Sequence, residues 1–122
     1  MPNINAALGC AQLENLDRYV ADKRETAACY AEFFKGKEDI TFFTEPADCK
    51  SNYWLNAVVL KDKAAQLDFL EYTNDHGVMT RPVWELMNRL PMFEHCETDG
   101  LENTEWLADR VVNIPSSVRL EN

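Results

Sequence analysis

Residues 3–34 contain no proline and a single glycine, Gly9, so the opening quarter of the chain reads as one long helix. Met1-Pro2-Asn3 supplies a start, with Asn3 placed to cap orphan amides. Lys35-Gly36-Lys37 supplies the stop, Gly36 being suited to a left-handed cap. At about 1.5 Å per residue such a rod spans roughly 50 Å, longer than a small globular domain, and a helix of that length usually crosses between two bodies. Leu13, Val20, Ala27 and Phe34 recur every seven residues and, with Leu16 and Tyr30, form one apolar stripe. Asp17, Asp22, Arg24, Glu25 and Glu32 occupy the opposite face. Upstream lies a small-residue segment: Ala6, Ala7, Gly9, Cys10 and Ala11. Gly9 costs about 1 kcal/mol relative to alanine in a helix interior. Close approach of another backbone would offset that cost, and a tolerated glycine without a role fits equally.

Downstream, the periodicity changes. Ile40 to Phe43 reads as a short strand stopped by Pro46, and Tyr53 to Leu60 as the strongest strand of the chain. Lys63 to His76, with apolar Ala64, Leu67, Leu70 and Tyr72, reads as a helix closed by Gly77. Val78 to Trp84 is a third strand that Pro82 confines to an edge or an end. Leu86 to Phe93 suggests a short turn of helix interrupted at Pro91, and Glu97 to Gly100 a loop. Asn103 is placed to cap a final helix through Val112, ended by Ile114-Pro115-Ser116-Ser117. Strands interleaved with helices over 122 residues predict one α/β domain. It would pair a long N-terminal helix with a short, mostly antiparallel sheet covered by helices on one face.

Charge and cysteine usage narrow the function classes. The chain carries 21 acidic and 12 basic residues, a net charge of −9, and an acidic surface repels phosphate backbones; nucleic-acid binding is not expected. No apolar run approaches the roughly 20 residues that cross a bilayer, so neither a membrane span nor a signal peptide is expected. Cys10, Cys29, Cys49 and Cys96 lack C-x-x-C spacing and have only His76 and His95 for company, which argues against a metal site. Free thiols fit a reducing cytoplasm.

A nucleophile beside an oriented base is not legible, and the four isolated glycines make no phosphate loop. His76 and His95 read as surface residues. One segment stands out: Thr80-Arg81-Pro82-Val83-Trp84, followed by Glu85-Leu86-Met87-Asn88. A guanidinium at a proline-stiffened strand end can grip phosphate or carboxylate in a bidentate fork, and indole can lie against a sugar ring or base. The same residues also fit a structural arginine paired with one of many acids and a tryptophan filling the core. Trp54, in the strongest strand, reads as core, and Trp106 as packing near Arg110. Asn52-Tyr53 could face a site or simply begin a strand.

Four collinear stretches, MPNINAALGCAQLENLD, SNYWLNAVVL, GVMTRPVWELMNRLPMF and WLADRVVNIPSS, span nearly the whole chain. Together they resemble the C-terminal domain of the DegT/DnrJ/StrS sugar aminotransferases, and most of all the branch acting on UDP-linked acetamido sugars for legionaminic-type acids. The resemblance implies the small domain of a fold-type I, pyridoxal-phosphate-dependent enzyme that places an amino group on a nucleotide-linked 4-keto sugar. It implies that Arg81 holds anionic or hydroxyl groups of the sugar nucleotide, that Trp84 and Tyr53 shape the wall, and that Asn88 lies near the sugar. Many relatives carry histidine at the positions of Asn88 and Val83, which leaves that part of the site different here.

On the same resemblance, residues 1–122 are a single domain without the large cofactor-binding domain and its Schiff-base lysine. The chain alone is then expected to hold no pyridoxal phosphate and to be catalytically incomplete. Homodimerisation through the exposed N-terminal helix is expected, in the cytoplasm. The alternative is a stand-alone domain that serves as a non-catalytic binding or oligomerisation module. For a complete small enzyme of another kind, only the abundance of carboxylates speaks.

Overall fold

The computed structural model describes residues 2–119. Its elements are α1 (Asn3–Leu13), α2 (Leu16–Phe34), β1 (Ile40–Phe42), β2 (Asn56–Leu60), α3 (Lys63–Asp75), β3 (Arg81–Pro82), a 3-10 turn (Met87–Arg89), α4 (Glu102–Ala108) and β4 (Val111–Ile114). The strands form one sheet in the order β1-β2-β4-β3, every neighbouring pair antiparallel. β2 and β4 are central because they carry the apolar alternation. Val58 and Val112 are opposite one another and fully buried, with Leu60, Ile114 and Phe42 beside them.

Side chains alternate across a strand, so this set defines an inner face, and two helices cover it. α2 contributes Ala27, with Tyr30, Ala31 and Phe34 packed around it; α3 contributes Ala65, Phe69 and Leu70. The other face stays open. Ala57, Val59, Val111 and Asn113 are only half-buried there, and Thr41, Phe43 and Arg81 are exposed.

The expected α/β architecture, with an antiparallel sheet covered on one face, is present, but several elements differ in detail. The long helix breaks at residues 14 and 15. Asn15 Nδ2 donates to the Ala11 carbonyl at 2.9 Å, and the Asn15 amide bonds three residues back, to Gln12. Asparagine thus competes locally for backbone partners that a continuous helix would use. Asn3 is the first helical residue rather than the cap, and the cap position, Pro2, offers no side-chain acceptor. A β-carbon at Gly9 would meet nothing within 4 Å outside its own helix turn, so no close backbone approach among the described residues explains that glycine.

The last helix ends at Ala108, and Asn103 lies inside it; Val111–Ile114 is instead a central strand. β-branched Val111, Val112 and Ile114 gain more from half-buried sheet positions than from a helix. Of the apolar α3 positions expected to face inward, Leu70 packs on the core while Leu67 and Tyr72 are exposed. Gln66 is fully buried while Leu67 is 54% exposed, because the Gln66 amide donates to the carbonyls of Ala108 (3.0 Å) and Val111 (2.8 Å). Trp54 lies ahead of β2 and is 65% exposed, not core, and Trp106 is half-exposed under the Arg110 guanidinium.

Candidate functional site

Arg81 sits on the edge strand β3, paired in register with Asn113 of β4. Thr80, its neighbour, turns inward and is buried, held by Thr73 Oγ1 at 2.6 Å and by Asn74 Nδ2. Alternation then turns Arg81 onto the open face. Its guanidinium makes a weak contact, from Nη2 to Met79 Sδ at 3.5 Å, and among the described residues no carboxylate pairs with it. The structural-arginine alternative therefore finds no acid. Trp84 is 87% exposed, so it does not fill the core either. Asn88 is half-buried in the 3-10 turn beyond, a segment steadied by Arg89 reaching Glu85 (3.7 Å) and Glu105 (3.9 Å).

A second feature lies on the same face of the sheet. Phe43, Leu55 and Ala57, with Tyr53 and Lys50, line a cleft of about 300 Å³. The loop that walls it is latched to α2. Arg24 grips Glu45 through both guanidinium nitrogens (2.6 and 3.0 Å) and donates to the Ser51 carbonyl at 2.6 Å. The Ser51 amide donates to Glu45 Oε2 at 2.5 Å, and the Glu45 amide donates to the Tyr53 hydroxyl at 3.2 Å. Arg24, and after it the Ser51 amide, hold the Glu45 carboxyl at about 2, far below its ordinary 4.5. The latch fixes Tyr53 at φ 45°, a left-handed conformation that a non-glycine residue adopts only when its surroundings impose it.

The register decides which of these residues meet. Phe43 bonds to Ala57, Ala57 pairs with Asn113 and Asn113 with Arg81, making one transverse row on the open face. Two strand spacings, about 10 Å, separate Ala57 in the cleft from Arg81. Tyr53 lines the cleft, but its ring turns to the inner side of the sheet, with the Arg24 guanidinium 5.6 Å from its centroid. Trp84 and Asn88 do not join that row, because β3 runs from Arg81 toward the level of Val112 and the chain continues in that direction, away from Tyr53. The Tyr53 ring also serves the core, stacked with Phe42 at 6.5 Å between centroids. Sequence reasoning missed Arg24, Glu45 and Ser51, which lie too far apart in the chain to be paired by pattern. The one available signal was the polar spacing around Ser51-Asn52-Tyr53.

Pyridoxal phosphate, implied by the sequence resemblance, needs an available lysine amine and groups for its ring nitrogen and phosphate. Lys23 is spent on the carbonyls of Trp54 and Ser116, while Lys35, Lys61 and Lys63 pair with Glu32, Asp39 and Asp109. Lys37 lies over the Phe33 ring. Lys50 reaches the cleft, but the cleft's carboxylate, Glu45, is already saturated by Arg24 and Ser51. The described residues do not assemble a cofactor site by themselves. The open face carries the unpaired Arg81 guanidinium and the cleft lined by Phe43, Leu55 and Ala57.

The chain is similar to known proteins over its whole length. The DegT/DnrJ/EryC1/StrS aminotransferase family matches residues 1–122. The GDP-perosamine synthase of Escherichia coli O157:H7 is 28% identical over 124 residues, covering all of this chain and 33% of that protein. EpsN of Bacillus subtilis, named as a pyridoxal phosphate-dependent aminotransferase, is 29% identical over 120 residues, 95% of this chain and 31% of its own length. The crystal structure of the aminotransferase TlmJ from Streptoalloteichus hindustanus superposes with a TM-score of 0.85 at 22% identity, over 96% of this chain and 31% of that one. The chain thus spans about a third of the length of the curated relatives it matches.

Proposed function

The chain belongs to the DegT/DnrJ/EryC1/StrS aminotransferase family, and we propose that it works as the C-terminal, substrate-facing domain of a sugar aminotransferase acting on a UDP-linked 4-keto sugar. A second, larger domain would supply the pyridoxal phosphate and its lysine, which this chain's own lysines do not replace. When bound there, the cofactor would supply the carbanion-stabilising chemistry of amino transfer. The part of these residues is to bind and orient the sugar nucleotide.

The observation that carries this reading is Arg81. Its guanidinium stands exposed on an uncovered sheet face with no acid among the described residues to neutralise it. In a chain of net charge −9 an unpaired arginine held by an ordered strand favours an anionic or hydroxyl-rich ligand. Trp84 and Asn88 extend the contact surface on one side, and Tyr53 with its cleft on the other. The uridine nucleotide comes from the sequence resemblance, whereas the Escherichia coli relative is named for a GDP sugar. UDP-, GDP- and dTDP-linked 4-keto sugars therefore form the test panel.

The experiment is amino transfer to that panel by the full-length gene product, followed by Arg81→Ala. A charge-assisted bidentate contact is worth about 1.5–3 kcal/mol, so KM for the preferred sugar nucleotide should rise about 10- to 100-fold. Unchanged kinetics would remove Arg81 from the site, and absence of turnover with every sugar would remove the reading.

The stand-alone module has one observation of its own. None of the α1 residues is buried, although Ile4, Leu8 and Leu13 are apolar. A second copy laid against α1 would cover them, giving the simplest two-fold dimer. No helix among the described residues is long and apolar enough to cross a membrane. A cytoplasmic setting, where sugar nucleotides and free thiols coexist, is part of the proposal.

A further inference from the structure

Only Arg81 and Pro82 make up β3, and the proline brings no N–H to the sheet. Arg81 opposite Asn113 and Pro82 opposite Val112 are its whole pairing with β4. Backbone pairing over so short an edge strand specifies register poorly, and a slip of one residue would carry the Arg81 side chain to the inner face. A second set of contacts settles the register. It lies one residue ahead of the strand, where Thr80 is buried against the last turn of α3.

The protons of that turn can be followed. Thr73 Oγ1 lies 2.6 Å from Thr80 Oγ1 and 2.7 Å from the Phe69 carbonyl. A hydroxyl donates one proton, and Thr73 Oγ1 is the one described acceptor within reach of Thr80. Both protons are therefore used when Thr73 donates to Phe69 and Thr80 donates to Thr73. Asn74 Nδ2 completes the set, donating to Thr80 Oγ1 (3.0 Å), to the Thr80 carbonyl (3.2 Å) and to the Leu70 carbonyl (2.8 Å). The Thr80 hydroxyl thus donates once and accepts once, and its backbone is gripped from the helix. α3 is itself fixed to the sheet. Ala65, Phe69 and Leu70 pack on the core, and Gln66 Nε2 holds the carbonyls of Ala108 and Val111 at the start of β4. The intervening turn adds the Val78 amide on the Thr73 carbonyl at 2.8 Å and the Gly77 amide on the Asn74 carbonyl at 3.0 Å. The place of Thr80 relative to β4 is set through α3 as well as by the two residues of β3.

We propose that Thr80, with Thr73 and Asn74, is a positioning residue for Arg81, fixing the register of β3 so that the guanidinium meets the sugar nucleotide from the open face. The assignment rests on the sugar-nucleotide reading given above and adds to it the anchor of the residue that carries it. Thr80 turns to the opposite face of the sheet from Arg81, so it acts through Arg81 and does not touch the ligand.

The test is a double-mutant cycle in the full-length gene product. Its readouts are kcat and KM for the preferred sugar among the UDP-, GDP- and dTDP-linked 4-keto sugars. Thr80→Val keeps the volume and removes the hydroxyl, and loss of that hydrogen bond should raise KM about 2- to 10-fold with kcat unchanged. Thr80→Ser keeps the hydroxyl and should recover most of the affinity. In an Arg81→Ala background Thr80→Val should raise KM no further. Should Thr80→Val not fold, Asn74→Ala, at an exposed position, carries the same cycle with the same expectations. A KM equal to that of wild type overturns the anchor. So does the same rise with and without Arg81, and so does a rise that Thr80→Ser shares in full, which would belong to the lost methyl. A response in Arg81→Ala with none in Thr80→Val removes the anchor and leaves the sugar-nucleotide reading standing. Unaltered KM in Arg81→Ala itself removes that reading of Arg81 and the anchor with it.

Discussion

Glu45 accepts two hydrogen bonds from Arg24 and one from the Ser51 amide, so its charged form is favoured in the folded chain and its pKa falls to about 2. The unfolded chain would hold this carboxyl near its ordinary 4.5. A depressed folded value means that the unfolded state binds protons first as pH falls. The latch therefore contributes its full stabilisation above about pH 4.5 and loses it progressively toward pH 2. Asp22 is lowered as well, first by the hydrogen bond from the Arg119 amide, and adds to the same acid limb. Urea midpoints followed from pH 6 to pH 2 should fall less steeply in Glu45→Gln than in wild type, with the residual slope due to Asp22. Parallel curves for the two proteins would show that the Arg24–Glu45 pair is not what acid breaks. None of this was legible in the sequence, where Arg24 reads as one charge on a solvated helix face and Glu45 as a residue before a proline. Arg81 was legible in part: the Thr-Arg-Pro strand end puts it at an edge, and the β3–β4 register decides that it is exposed rather than paired with an acid.

Elements were readable where one periodicity ruled and were misread where a polar residue carried the packing. β2 announces itself through Asn-Ala-Val-Val-Leu alternation, and Gly36 and Gly77, at φ 75° and 76°, stop α2 and α3 as expected. In α3 the apolar spacing points Leu67, Leu70 and Tyr72 inward, yet only Leu70 of these packs on the core, and Gln66 faces the sheet. That glutamine belongs to the same local arrangement that hid β4. Its amide satisfies the carbonyls of Ala108 and Val111, where α4 ends and the central strand begins. Helix propensity runs smoothly through that junction in sequence, and only a donor arriving from another element marks the change. Gln66→Leu keeps the volume but leaves two carbonyls short of a donor, and an unsatisfied buried group costs about 1–3 kcal/mol. Urea unfolding should register a loss of that order, against a much smaller change for Leu67→Gln on the exposed side of the same helix. Equal effects at the two positions would mean that the α4–β4 junction holds without Gln66.

At the scale of the whole molecule, the sheet with α2 and α3 has its own core, and α1 stands outside it. Every α1 residue is unburied, with Ile4 82%, Leu8 62% and Leu13 68% exposed. A helix that is apolar without a sheltered side belongs inside a larger body, which here means a companion domain or a second copy of the chain. Gly9 fits the same account, since among the described residues nothing beyond its own helix turn comes within 4 Å of the place a β-carbon would take, which leaves room for a backbone from elsewhere. If the core is independent of α1, deleting residues 2–13 should leave the thermal midpoint within about 2 °C of the parent chain, because no core contact is lost. The parent should associate as its concentration rises in sedimentation velocity, and both the deletion and the double substitution Leu8→Glu, Leu13→Glu should remain monomeric. A midpoint that collapses on deletion would show that α1 supports the fold. A parent that stays monomeric at every concentration would leave the companion domain as the partner that α1 is built to meet.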